Sequence, residues 1–228
     1  MNRMARHKVR LPGLLLAALV FSVLPALGQA ASTNPNPWDW PERDKWQHPE
    51  EVMSALRLRL GSAVADVGCG RGYFTYHLAD RVGPQGEVYA VDIEHELIDG
   101  IRHQALSKWL VQVKAVLGAP DNPHLPADAL DAILVVHAYH EMRDNDVMLE
   151  SFYRALKPGG LLGIIEFNVR NHQPRSAYFE QHQIPPQIVR DEVTHHHFRF
   201  LQNEPGFSVP GGGWGRDQYF LLFGKPED

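Results

Sequence analysis

Short apolar runs and amphipathic stretches alternate along most of the chain. Ala63 to Val67 is a brief apolar run, and Tyr73 to Val82 places Phe74, Leu78 and Val82 on one helical face. Glu87 to Val91 reads as a strand and Glu94 to Ala105 as a helix. Leu110 to Val116 follows as a strand, before a Pro-rich loop from Gly118 to Ala127. Ala132 to Val136 is apolar throughout, as a central parallel strand buried on both faces requires. Asp144 to Leu156 reads as a helix, Lys157-Pro158-Gly159-Gly160 as a turn and Leu161 to Phe167 as another strand. Upstream, His48-Pro49-Glu50-Glu51 opens a helix, since proline suits a first turn and acids suit the positive helix end. Downstream, Pro185 to Val193 reads as a helix, and strands near Phe198–Leu201 and Tyr219–Phe223 complete an edge. Strands separated by helices predict an α/β domain with a mostly parallel sheet covered on both faces.

The first 47 residues break this rhythm. Arg3, Arg6, Lys8 and Arg10 form a basic start, Leu11 to Leu27 is charge-free and apolar, and Gly28-Gln29-Ala30 supplies the small residues of a cleavage site after Ala30. Residues 1–30 therefore predict a signal peptide and an exported protein, periplasmic or secreted. An uncleaved membrane anchor is the alternative, and the only expected route to a membrane. Residues 31–47, rich in Pro, Asn and Trp, predict an extended N-terminal arm lying across a domain of residues 48–228.

Composition narrows the partners. Apolar residues make up 44% of 228 positions, enough for one sizeable core. The formal charge of −5, with no basic cluster beyond the N-terminus, argues against nucleic acid. A single cysteine, Cys69, excludes an intramolecular disulfide.

The chemistry concentrates in Asp66-Val67-Gly68-Cys69-Gly70-Arg71-Gly72, between a strand and a helix. Glycines at 68, 70 and 72 let the backbone turn tightly and approach a ligand, and the following helix offers free N–H groups to an anionic group. Twenty residues beyond Gly72, Asp92 ends the second strand, where a carboxylate can accept from both ribose hydroxyls of a nucleoside. The spacing G-x-G-x-G differs from the dinucleotide fingerprint and from the Walker A loop, which disfavours an NAD(P)-dependent oxidoreductase.

With its leading acid and the strand ending in Asp92, this turn resembles motif I and its successor in class I S-adenosylmethionine (SAM)-dependent methyltransferases. Two further stretches are similar to the family in the family's order. Val135 to Met142 resembles its fourth strand and following loop, and Arg154 to Leu162 its "LKPGG" turn. The resemblance covers roughly residues 43–167 and implies a Rossmann-like fold, SAM as cofactor, and methyl transfer to an unidentified acceptor, most simply a small molecule. It further implies that Asp66, Gly68, Gly70 and Gly72 line the methionine end of SAM, that Asp92 holds the ribose and Ile93 presses on the adenine. Asp121 or nearby backbone would read the adenine edge, and His137 would sit near the sulfonium. A non-catalytic SAM or nucleoside binder is the rival reading, favoured by the export signal because SAM is made in the cytosol.

His140 and Glu141 follow the fourth strand, where an acceptor meets the cofactor; either could be a base or acceptor contact, or a helix cap or structural network. His195-His196-His197 cannot all face one ion, so no metal site is expected. Trp38, Trp40 and Trp46 could form a lid or simply pack. Cys69 reads as a small buried filler, and Gly211-Gly212-Gly213 as a hairpin. Residues 168–215, the expected acceptor region, carry no readable motif beyond the polar side chains Arg170, His172, Arg175 and His182.

Overall fold

The computed structural model describes residues 40–170, 173–204, 207 and 217–227. The expected signal peptide of residues 1–30, Trp38, His172 and the triple glycine lie outside them. The elements are α1 (Trp40–Gln47), α2 (Pro49–Ala55), β1 (Ala63–Val67), α3 (Tyr73–Val82), β2 (Glu87–Asp92), α4 (His95–Ser107), β3 (Val113–Leu117) and β4 (Leu130–Val136). A single 3-10 turn (Tyr139–Glu141) follows. Then come α5 (Asn145–Ala155), β5 (Leu156–Phe167), α6 (Ala177–Gln181), α7 (Pro186–His195), β6 (Arg199–Asn203) and β7 (Gln218–Gly224). Among the described residues no helix is long and apolar enough to cross a membrane.

The seven strands lie in the order β3-β2-β1-β4-β5-β7-β6. Pairs β1 to β5 are parallel, whereas β7 runs antiparallel to both β5 and β6. The two-residue period of each strand divides the core. Val64, Ala132, Leu134, Leu161, Ile165, Phe220 and Leu222 face α2 and α3, burying Met53, Leu56, Leu78 and Val82. Their neighbours Ala65, Ile133, Val135, Leu162, Ile164, Tyr219 and Leu221 face the opposite layer, with Leu149 and Phe152 of α5 and Val189 and Val193 of α7. Strands buried on both faces have no polar side to show, which explains their uniform apolarity.

Two local expectations change. Residues 40–47 form helix α1 and not an extended arm. Pro41 stands in the first turn, where its missing N–H costs nothing, Lys45 bonds Glu42 one turn back, and Trp40 packs on Tyr76 and Tyr73 at 5.4 and 5.9 Å. Strand β5 starts at Leu156, paired with Leu130, before the turn residues. The next pair is Ala132 with Leu161, so Lys157 to Gly160 form a bulge within the strand.

Candidate active site

Strand order reverses between β1 and β4, and at such a point loops diverge at the strands' carboxyl ends to leave a crevice. A cleft of about 440 Å³ opens there. Its floor is the glycine turn after β1, with Asp92 and Ile93 after β2, Ala119 and Pro120 after β3, and His137 after β4. A second cavity of about 180 Å³ shares Gly68, Gly70 and Leu97 with it and reaches Asp66 and Arg43.

Each glycine has its own reason. All three take positive φ, at +74°, +54° and +84°. A Cβ on Gly68 would lie 2.4 Å from that of Ala138, and one on Gly72 would lie 2.5 Å from Ile101 Cδ1. These two are packing requirements. A Cβ on Gly70 would meet nothing within 4 Å, and Gly70 lines both the cleft and the smaller cavity. The Gly68 and Cys69 amides donate to the Val91 carbonyl at 2.9 and 3.0 Å, and the Gly70 amide donates to Asp92 Oδ2 at 2.9 Å. Asp92 Oδ1 accepts from the Glu94 amide at 3.1 Å. Each carboxylate oxygen keeps a second lone pair for a ligand.

Asp66 is buried and accepts from the Thr75 hydroxyl at 2.6 Å. Burial pushes its pKa up to about 6, against the opposing pull of Thr75 and Arg43. Arg43 comes from α1 and lies 3.9 Å from the centre of the Tyr73 ring. Burial lowers its pKa against the attraction of Asp66 and Asp44. The helix is moored by Asp44, whose Oδ1 accepts from Tyr73 Oη at 2.6 Å and meets His77 Nε2 at 3.1 Å. Trp40 packs, as described, and Trp46 gives its carbonyl to Gln218 Nε2 at 2.7 Å. Cys69 is buried, and burial holds its thiol protonated.

His137 occupies the left-handed region at φ 52° and stacks on Phe167 with ring centroids 3.9 Å apart. Its Nε2 is 3.2 Å from Gln47 Nε2. A non-glycine residue held there at a cleft wall is strain stored at a site. Ile93 lines the same cleft and is 59% exposed, an apolar side chain left for a ligand to cover. Asp121 is exposed and does not line the cleft; Ala119 and Pro120 stand in its stead.

The candidate catalytic pair separates in space. Glu141 lines the cleft, whereas His140 is buried behind it with Nδ1 at 3.0 Å from both oxygens of Glu166. Burial disfavours charge on His140, but Glu141 and Glu166 outweigh it and pull its pKa up to about 9. The His140 ring in turn holds Glu141 below the usual carboxylate range. Glu166 was not singled out in the sequence. The available signal was an acid within the otherwise apolar run Leu161 to Phe167, because a fully buried carboxylate needs partners. Arg175, read as a polar contact for the acceptor, instead clamps the 3-10 turn. It donates to the carbonyls of His140 and Tyr139 at 3.0 and 3.1 Å and to Glu192 at 2.9 Å. The three consecutive histidines diverge: His196 meets Asp146 at 2.9 Å while His197 packs edge-on against Tyr153.

The strand order and the glycine turn at its switch point define a Rossmann-like methyltransferase fold. Residues 64–160 match the family model described as a methyltransferase domain. The demethylmenaquinone methyltransferase of Geobacillus sp. (strain WCH70) is 30% identical over 137 residues, which are 60% of this chain and 56% of that protein. The chain thus spans little more than half the length of that relative. A SAM-dependent methyltransferase from Aquifex aeolicus has the same fold, with TM-score 0.68 at 23% identity over 81% of this chain and 93% of that one. Phosphoethanolamine N-methyltransferase 2 of Haemonchus contortus, solved with SAM, gives TM-score 0.66 at 14% identity over 79% and 53%. Residues 64–160 thus resemble a methyltransferase domain, and the sheet has the fold of SAM-dependent methyltransferases.

Proposed function

We propose that this chain binds SAM in the cleft and transfers its methyl group to a small-molecule acceptor. The observation that carries the reading is Gly70: it lines the cleft, with open space where a Cβ would stand, beside a carboxylate with lone pairs to offer. The cleft volume is within the range of small-ligand sites, and its wall is mostly apolar with few polar groups. When bound, SAM supplies an electrophilic methyl on a sulfonium.

The residues then divide the work. Asp92 accepts from the ribose hydroxyls, and Ile93 and Leu97 cover the flat adenine with Ala119 and Pro120 at its edge. The glycine turn, Asp66 and Arg43 surround the amino-acid end through the smaller cavity, where a carboxylate and a guanidinium suit an ammonium and a carboxylate. His137, held flat by Phe167, forms the wall toward the reacting centre. In-line transfer demands mainly alignment, which can supply roughly 7–11 kcal/mol of barrier reduction. Of the two expected catalytic residues, Glu141 faces the acceptor and His140 acts from behind.

The acceptor to try first is demethylmenaquinone, after the curated relatives' name. Calorimetric titration with SAM, S-adenosylhomocysteine and NAD tests the cofactor. Binding of the first two and not the third supports the reading; well-folded protein that ignores both adenosyl ligands defeats it. The rival, a binder without transfer, rests on the N-terminal sequence. We propose that residues 1–30 direct export, which mass determination of the mature N-terminus tests. SAM binding without methylated product across an acceptor panel would favour that rival.

A further inference from the structure

We propose that His140, Glu141 and His182 form a binding site for a zinc-class divalent ion at the rim of the cleft. Among the described residues these three bring His140 Nε2, Glu141 Oε1 and His182 Nδ1 into one triangle. Its sides are 3.3 Å between the two histidines, 3.6 Å from His140 to Glu141 and 3.3 Å from His182 to Glu141. For a tetrahedral ion with ligands at about 2.0–2.1 Å, adjacent donors stand about 3.3–3.4 Å apart. The triangle already has nearly that spacing, whereas N–H···O hydrogen bonds prefer about 2.9–3.0 Å.

Tautomer chemistry points the same way. Glu166 presents only acceptors to His140 Nδ1, at 3.0 Å from each oxygen, so that nitrogen carries the proton. Nε2 is then the nitrogen from which an ion would displace a proton to solvent, and it faces a carboxylate oxygen and a second imidazole nitrogen. A fully buried carboxylate behind a ligating histidine is the usual outer partner of such a site, fixing tautomer and ring orientation. The supports are firm. Arg175 clamps the carbonyls of Tyr139 and His140, and His182 is held at φ 50° at the end of α6.

Two imidazoles and one carboxylate suit zinc better than calcium or magnesium, which prefer oxygen. His140 is buried, while the side chains of His182 and Glu141 are 62% and 57% exposed. The triangle therefore has one open side, leaving a fourth position for water or another ligand, as in catalytic zinc sites. Because Glu141 also lines the cleft, an ion there would stand on the acceptor's side. If the methyl-transfer reading holds, it would bind an acceptor oxygen and favour its deprotonated form. Ion binding itself does not depend on that reading.

The test is zinc titration of chelator-stripped protein without SAM, followed by cobalt(II) as a spectroscopic stand-in. We expect one equivalent of zinc bound at micromolar affinity or tighter, and the intense visible absorption of low-symmetry cobalt. Exposed His182→Ala should lose at least an order of magnitude of affinity, and Glu166→Gln about 10–100-fold. His195→Ala, in the neighbouring histidine run, should bind as the parent does. Folded parent protein that takes up no zinc, or His182→Ala that binds with parental affinity, would overturn the assignment. Failure of the SAM titration with zinc binding intact would strike the methyl-transfer reading alone.

Discussion

At the scale of single residues, the glycine turn separates packing from recognition. Gly68 and Gly72 are required because a Cβ would strike neighbouring side chains, whereas Gly70 has open space beside it. Gly70→Ala should therefore fold, at a cost of about 1–2 kcal/mol for a left-handed alanine, yet lose most SAM affinity. Normal binding by this variant would refute the loop assignment. Asp66 makes a second prediction. Its folded pKa of about 6 exceeds the unfolded value of about 3.9, so the folded state binds more protons between these limits. Its contribution to stability is full below pH 4 and disappears as pH rises through 6, by roughly 3 kcal/mol in all. Urea unfolding of the parent and of Asp66→Asn, compared at pH 4.5 and 7, should show the parent losing more stability with rising pH. Parallel behaviour of the two proteins would mean that Asp66 is ionised without penalty.

At the scale of elements, α1 is the least expected part, and it reaches the site through Arg43 and Gln47. Its sequence has no amphipathic period, since its neighbours lie on several sides: Trp40 on Tyr76, Arg43 over Tyr73 and Gln47 against His137. A stripe is a signature only where one apolar face docks on one layer. Asp44→Ala removes the acceptor of Tyr73 and the partner of His77, and should cost about 1 kcal/mol of stability. If α1 closes the amino-acid end of the cleft, SAM affinity should fall further than stability alone requires. Unchanged affinity in a calorimetric titration would reduce α1 to packing. By contrast, β1, α3, β2, β4 and α5 were legible, because each buries a continuous run or a single stripe.

At the scale of the whole molecule, β7 joins the parallel sheet to its antiparallel edge and buries side chains on both faces. Phe220 packs against Phe207 with centroids 5.3 Å apart and stands in the core under α2 and α3. Phe220→Ala should cost about 3–5 kcal/mol, read from the shift of the urea midpoint. A loss below 1 kcal/mol would show that the edge folds independently of the parallel sheet.

The sequence by itself determined what is local or periodic. The glycine turn, the acid twenty residues on and the alternation of strand and helix are all set by backbone geometry within one or two elements. That was enough for the fold class and for the floor of the cleft: Asp66, Gly68, Gly70, Asp92, Ile93 and His137 border it or its smaller neighbour, while Gly72 caps α3 and packs against Ile101 and Tyr76. Tertiary structure alone decided what depends on distance through space. It left Asp121 out of the cleft lining beside Pro120, turned Arg175 into a clamp, and brought Glu166 and His182 to His140 across 26 and 42 positions. No spacing rule joins those residues, because they meet through the packing of the 3-10 turn, β5 and the end of α6, and that packing is fixed only once the sheet has ordered its strands.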